Sequence, residues 1–207
     1  MENNYKICAK TVMDTSDPAI KFDQDGISNH YWDFQNIVQP NWHPDAEGKA
    51  RLEKIVDTLK KSGKGRSFDC IMGLSGGADS SYMLHKMVRE YDLRPLVFHV
   101  DAGWNSEIAV NNINGLIDKL GLDLYTEVIN WEEMKNFQLA MFKSGVPHID
   151  IPQDMAFIGV LYKFAEKHKI KYIVNGGNIS TECVLMPLDI LYWGTDMTHI
   201  RDILSQF

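Results

Sequence analysis

"FDCIMGLSGGADSSYMLHKMVREY", residues 68–91, decides how the rest of the chain is read. Residues 68–74 are a short apolar run of strand type. Residues 79–91 set Met83, Leu84 and Met87 at helical spacing. Between them lie Ser75, Gly76, Gly77, Asp79, Ser80 and Ser81. Two readings compete for this turn. Gly73-Leu74-Ser75-Gly76-Gly77 fits the G-x-S-x-G pattern of a hydrolase elbow, with Ser75 as nucleophile. That reading needs an acid and a histidine later in the chain, Asp150 with His199 or Asp101 with His148, and leaves Asp79, Ser80 and Ser81 without a role. A phosphate loop uses every residue. Gly76 and Gly77 remove side chains, so backbone N–H groups can approach an anion. The helix start adds partial positive charge. Ser75, Ser80 and Ser81 supply hydroxyl donors. Asp79 repels phosphate unless Mg²⁺ stands between them, so it is the expected metal contact, through the phosphates. The turn lacks the lysine of G-x-x-x-x-G-K-[ST] and the spacing of G-x-G-x-x-G.

Outward from this turn, strands and helices alternate. "RPLVFHVD" (94–101) reads as a second strand and "LDLYTEVI" (122–129) as a third, with "KYIVNGG" (171–177) as a fourth. Helices are expected at 105–121, capped by Ser106 and closed by Gly121, at 131–145, and at 154–168. The pattern predicts an α/β fold, a parallel sheet with flanking helices. Ligands of such sheets sit beyond the C-terminal strand ends. Those ends carry Ser75–Asp79, His99–Trp104, Ile129–Asn130 and Asn175–Asn178.

Before the sheet the chain is different. Residues 1–45 are rich in Asp, Asn, Pro and aromatics, with turns at Asp17-Pro18 and Asp25-Gly26 and a candidate strand at "AIKF" (19–22). They read as a small irregular subdomain. Residues 46–66 read as a helix with Leu52, Ile55, Val56 and Leu59 on one face, then a polar connector; 67–207 form the nucleotide-binding domain. The last twenty residues are apolar and aromatic enough to need a surface to pack on: either they dock on this domain or the chain is a piece of something longer.

Composition sets limits. Of 207 residues, 44% are hydrophobic and 24% charged, as in a soluble globular protein. No apolar run reaches membrane-span length and the polar start lacks a signal-peptide core, so a cytoplasmic protein without a membrane partner is expected. A formal net charge of −7 argues against a nucleic-acid partner, and the basic run Lys163–Lys171 reads as the solvated face of a helix. Three cysteines, Cys8, Cys70 and Cys183, suggest no disulfide framework.

A strand, then S-G-G-x-D-S, then a helix resembles the pyrophosphate loop of the ATP pyrophosphatase, or PP-loop, superfamily, whose fold is that of the adenine nucleotide alpha hydrolases. These enzymes split ATP between the α and β phosphates. "KICAKTVMDTSDPAIKFDQDGISNHYWDF", "DCIMGLSGGADSSYMLH", "FHVDAGWNSEIAVNNI", "IPQDMAF" and "NGGN", in this order from about residue 7 onward, are similar to the N-acetyl sugar amidotransferase family. Its members act in lipopolysaccharide O-antigen and pseudaminic- or legionaminic-type sugar synthesis and are generally longer than this chain. Many carry two CxxC pairs near the N-terminus. Here those positions read Cys8, Thr11, Ser28 and Tyr31, a degenerate zinc knuckle, so no zinc is expected; Tyr31 and Trp32 are expected to pack in its place.

The resemblance implies a set of roles. ATP and Mg²⁺ are the cofactors. Ser75, Gly76, Gly77, Asp79, Ser80 and Ser81 would hold the phosphates. His99, Val100 and Asp101 would border the adenine and ribose, and Gly176 and Gly177 the α-phosphate. Trp104, Asn105, Gln153, Asn178 and Glu182 would face the sugar. Asp79 and Asp154 are the catalytic candidates; Asp154 reads equally as a helix cap. For His99 a satisfied sheet histidine is an equal alternative, and Trp104 and Asn105 could instead close their loop. No cysteine carries a glutaminase signature, so ammonia is expected from a separate glutaminase subunit. Homo-oligomerisation stays open. The other readings are tRNA thiolation, NAD, GMP or asparagine synthesis, and a non-catalytic ATP-binding module.

Overall fold

A computed structural model describes residues 5–177 and 196–207. These divide into two compact units, one of the residues up to Glu53 and one of Lys54–Gly177 with 196–207. In the first, helix α1 (Asn29–Asp33) runs into a π turn (Phe34–Val38) and a 3-10 turn (Gln39–Asn41). "AIKF" is not a strand: Phe22 makes only an isolated bridge to Ser28, as Ile7 does to Asp14. Aspartates at the turns explain this, because Asp14, Asp17 and Asp23 accept hydrogen bonds from backbone N–H groups two to four residues on. Such turns compete with extended pairing. Helix α2 (Ala46–Ser62) straddles the division. Its Val56 and Leu59 are buried as expected, but Ile55 is 56% exposed.

The second unit is the expected α/β domain. Strands β1 (Cys70–Gly73), β2 (Pro95–Asp101), β3 (Leu124–Val128) and β4 (Ile173–Val174) form one parallel sheet in the order β3-β2-β1-β4. The register sets Met72 against Val97 on one side and Val174 on the other. Helices α3 (Ala78–Arg89), α4 (Glu107–Leu120), α5 (Trp131–Ser144) and α6 (Ile151–Lys167) connect the strands. The fourth strand is shorter than its sequence pattern, and α6 starts three residues earlier than expected. Pro152 favours that start, its fixed φ suiting the first helical turn.

Alternation along the strands divides the core. Ile71, Leu96 and Phe98 pack against Val160, Leu161, Phe164 and Ala165 of α6. Cys70, Met72 and Val97 point the other way, and Met83, Leu84, Met87, Ile113 and Ile117 of α3 and α4 are buried. Each such side chain contributes about 1.5–3 kcal/mol by leaving water. Helix α7 (Met197–Gln206), capped by the Asp196 side chain, places Ile200 and Ile203 against Ala140, Met141 and Ile151. Of the apolar C-terminal stretch, Ile200 and Ile203 thus pack within this unit, and residues 188–195 lie outside the described residues.

Candidate functional site

The strand order reverses direction between β1 and β4, the switch point where open α/β sheets bind ligands. The loop from Leu74 to Gly77 leaves β1 there and enters α3. Gly76 has φ +78°, and a Cβ on it would lie 2.5 Å from the Ala109 carbonyl oxygen. Only glycine fits, because the loop is pressed onto α4. Asn112 of α4 holds it, its amide donating to Gly76 O at 3.1 Å. Gly77 is the N-cap of α3 and supplies no side-chain cap. The N-terminal N–H groups of α3 therefore have no capping side chain from Gly77.

Ser75 and Ser80 meet across the turn. Their hydroxyls are 3.0 Å apart, Ser75 N–H donates to Ser80 Oγ at 3.3 Å, and Gly77 N–H donates to Ser75 Oγ at 3.3 Å. Gly176, beyond β4, backs onto the same helix start: a Cβ there would sit 3.1 Å from Ser80 N. Gly177 N–H donates to Asn175 Oδ1. The sheet thus brings Ser75, Gly76, Gly77, Asp79, Ser80 and Gly176 together. Ser81 lies one residue further along α3, with its Oγ buried and unpaired among the described residues.

The hydrolase elbow has no counterpart in this geometry. Among the described residues only Asp92 and Lys169 have positive φ outside glycine, so Ser75 is not on a strained apex. Its hydroxyl partner is Ser80, while His148 faces Asp154 and Asp101 accepts from Gly103 N–H.

The end of β2 is built for support. His99 is 8% exposed, and its Nδ1 lies 2.8 Å from Leu74 O. A carbonyl only accepts, so Nδ1 carries the proton and Nε2 accepts from the Asn105 amide at 3.0 Å. Both ring nitrogens are occupied within the protein: His99 is a satisfied sheet histidine that braces the loop, and Asn105 serves it. The Val100 side chain is partly buried and packs against the α6 core cluster. Trp104 is 62% exposed and reaches across to α5. It stacks edge-on with Trp131 at 5.5 Å, and its Nε1–H donates to Gln138 Oε1 at 2.9 Å.

Helix α6 overhangs the strand ends. Phe157 lies so close to Gly73 that a Cβ would come within 2.4 Å of its ring, and it stacks on Phe98 at 5.1 Å. Gln153 and Asp154 do not open this helix; Asp150 is the N-cap and both lie in the first turn. Partial burial pushes the Asp154 carboxyl above the usual range, against the pull of His148, whose Nε2 lies 3.8 Å from Asp154 Oδ2. Asn178 and Glu182 lie outside the described residues. Phe157 and Asn112 were missed in the sequence, where each reads as an ordinary helix position.

A metal suits the loop in one way. The Asp79 carboxylate is exposed in the first turn of α3, beside two hydroxyls and free N–H groups. Among the described residues no three His, Cys, Asp or Glu side chains cluster as a metal cage. Mg²⁺ at Asp79 would draw its other ligands from phosphate and water, as this hard cation commonly does.

In the first unit, Thr11 and Ser28 of the degenerate knuckle meet Cys8. Lys10 N–H and Ser28 N–H donate to its Sγ at 3.4 and 3.2 Å. Trp32 does not fill the centre: it is 42% exposed and donates to Asp23 Oδ2.

No helix among the described residues is long and apolar enough to cross a membrane. No protein-family model and no curated protein matches the chain. Solved structures do. The NMN synthetase from Francisella tularensis is similar with a TM-score of 0.51 and 18% identity, over 78% of this chain and 75% of that one. The glutamine-dependent NAD+ synthetase from Acinetobacter baumannii, in complex with ADP, gives 0.50 and 18%, over 90% of this chain and 36% of that one. The chain spans 56% of the NH3-dependent NAD synthetase from Campylobacter jejuni, at a TM-score of 0.46 and 16% identity. The chain shares the parallel α/β fold of these NMN and NAD+ synthetase structures.

Proposed function

We propose that the chain is an ATP-dependent, AMP-forming amidotransferase that acts on the acetamido group of an N-acetyl sugar. One observation carries the nucleotide half of this reading. At the switch point of the sheet, Gly76 at φ +78°, the paired Ser75 and Ser80 hydroxyls and the side-chain-free cap of α3 form an anion cradle with Asp79 at its rim. The sugar half rests on the sequence resemblance.

An acetamido carbon is a poor electrophile because amide resonance protects it. Transfer of AMP to its oxygen turns that oxygen into part of a good leaving group. Ammonia then attacks, and an acetamidine results. The cradle residues bind and orient the β and γ phosphates, where preorganised N–H and O–H donors stabilise developing charge. Mg²⁺, held through Asp79, supplies charge neutralisation for the departing pyrophosphate. Ammonia comes from a separate glutaminase subunit in this reading.

A second reading follows from the solved neighbours named for NAD and NMN synthesis. There the acceptor is the carboxylate of a pyridine nucleotide, and the product is an amide. One assay separates the readings: ATP, Mg²⁺ and ammonium with a panel of UDP- and CMP-linked acetamido sugars and pyridine-nucleotide carboxylates. AMP and pyrophosphate that depend on one sugar, and disappear in Asp79→Ala, are the expected result. Dependence on the carboxylate selects the second reading. ATP binding without any turnover leaves a nucleotide-binding module.

A further inference from the structure

Asp154, in the first turn of α6, faces His148, whose Nε2 lies 3.8 Å from its Oδ2. Asp154 shares the sheet-facing stripe of α6 with Phe157 and Leu161, three and seven residues on. The helix runs antiparallel to the strands: Phe157 covers Gly73 and Phe98, whereas His168, just past the other end, stacks on Phe68. Asp154 therefore lies about 4.5 Å beyond Phe157 along the helix axis. Ser75 lies two residues past Gly73, about 6.6 Å in an extended chain. The carboxylate, 56% exposed, thus lies past the C-terminal strand ends on the α6 side of the sheet.

His148 lies beside it, with its ring 23% exposed. Its Nδ1 is buried without a partner among the described residues. The other charge acting on Asp154 is Asp150. Helices α5 and α7, packed beneath Ile151, present Ala140, Met141, Ile200 and Ile203, all apolar.

We propose that Asp154 accepts the proton of the attacking nitrogen nucleophile and that His148 is its positioning residue. This rests on the adenylating reading above. The nitrogen lone pair forms a C–N bond to the adenylated carbon. A proton passes from that nitrogen to the Asp154 carboxylate. The C–O bond to AMP then breaks, and its electron pair leaves with AMP.

The test compares two reactions of the purified chain with its sugar: product formation from ammonium at pH 6–9.5, and pyrophosphate–ATP exchange, which needs no nitrogen donor. Asp154→Asn should slow product formation by about 10²–10⁴-fold, the usual contribution of a positioned base, and leave exchange within a few-fold. Asp154→Glu should restore part of the loss. His148→Gln should also slow product formation and leave exchange within a few-fold, because the carboxylate then loses the side chain that faces it. Exchange and product formation falling together in Asp154→Asn would make it a binding residue and overturn the proposal. So would a His148→Gln variant that forms product at the wild-type rate. Circular dichroism checks folding; if His148→Gln unfolds, the Asn and Glu variants at Asp154 still decide. Absence of AMP and of exchange in the wild type with every sugar is a separate outcome, and sinks the adenylating reading itself along with this proposal.

Discussion

Gly76 carries two constraints at once. Its φ of +78° costs an L-residue about 1–3 kcal/mol, and its missing Cβ leaves room for the Ala109 carbonyl. Gly76→Ala should lower stability by at least that strain and weaken ATP binding at least tenfold, because relief of the clash moves the loop off α4. Urea unfolding and calorimetric titration read the two effects. A variant with unchanged affinity would mean that the loop geometry does not matter for the nucleotide. Cys8 makes a residue-scale case of another kind. Burial pushes its pKa up, but hydrogen bonds from the Ser28 and Thr11 hydroxyls and the Lys10 and Ser28 N–H groups outweigh this and bring it from 9.0 down to about 6. A depressed pKa stabilises the folded form most fully above the unfolded value. That contribution fades as pH falls from 9 through 6. Hydrogen-exchange protection of the Lys10 and Ser28 amides, corrected for intrinsic rate, should rise over this window in the wild type and stay flat in Cys8→Ser.

Three elements meet at the end of the sheet opposite the loop. Asp69, just before β1, is buried and accepts from Arg94 at the start of β2, through N–H at 2.9 Å and the guanidinium at 2.6 Å. Arg94 also donates to Gly63 O, at the end of α2. Asp69→Ala should cost about 2–3 kcal/mol in urea unfolding, less than the 3–5 of a wholly buried pair because Arg94 is half exposed. A loss below about 1 kcal/mol would show that the corner is held by packing alone. Nothing in the local pattern announced this corner: Asp69 and Arg94 are 25 residues apart and pair only once β1 and β2 align. The helices and internal strands were legible because each carries its own period and its own stop signal, as Ser106 and Gly121 do for α4. The strand–turn–helix that carries the candidate loop was legible for the same reason, since one local unit encodes Ser75 to Ser80. His99 was not. Whether a histidine at a strand end meets a ligand or a carbonyl depends on Leu74 and Asn105, and only the folded loop brings both to it. Ile55 and the short β4 were misread because periodicity shows which residues share a face, not how much of that face is covered.

At the scale of the whole molecule, the cradle couples ligand binding to the stability of the sheet it joins. Ser75 and Gly76 continue β1, α3 begins at Ala78, and Gly176 follows β4, so a pyrophosphate bound as proposed would tie three elements that unfolding must separate. A ligand at about 100 times its Kd stabilises the folded form by about 2.7 kcal/mol. For a chain of this size each kcal/mol raises Tm by about 2–4 °C. ATP with Mg²⁺ should therefore raise Tm by roughly 5–11 °C at that saturation. EDTA should remove most of the shift, because the Asp79 carboxylate then faces the phosphates without a cation. Asp79→Ala should lose the magnesium dependence and keep a smaller shift from the backbone donors alone. Adenosine, which has no phosphates, should give little shift. An equal shift from adenosine and ATP would place the binding energy on the nucleoside and remove the cradle from the account of this site. No shift from either, with the protein folded, would show that the anion geometry at the end of β1 does not recruit a nucleotide.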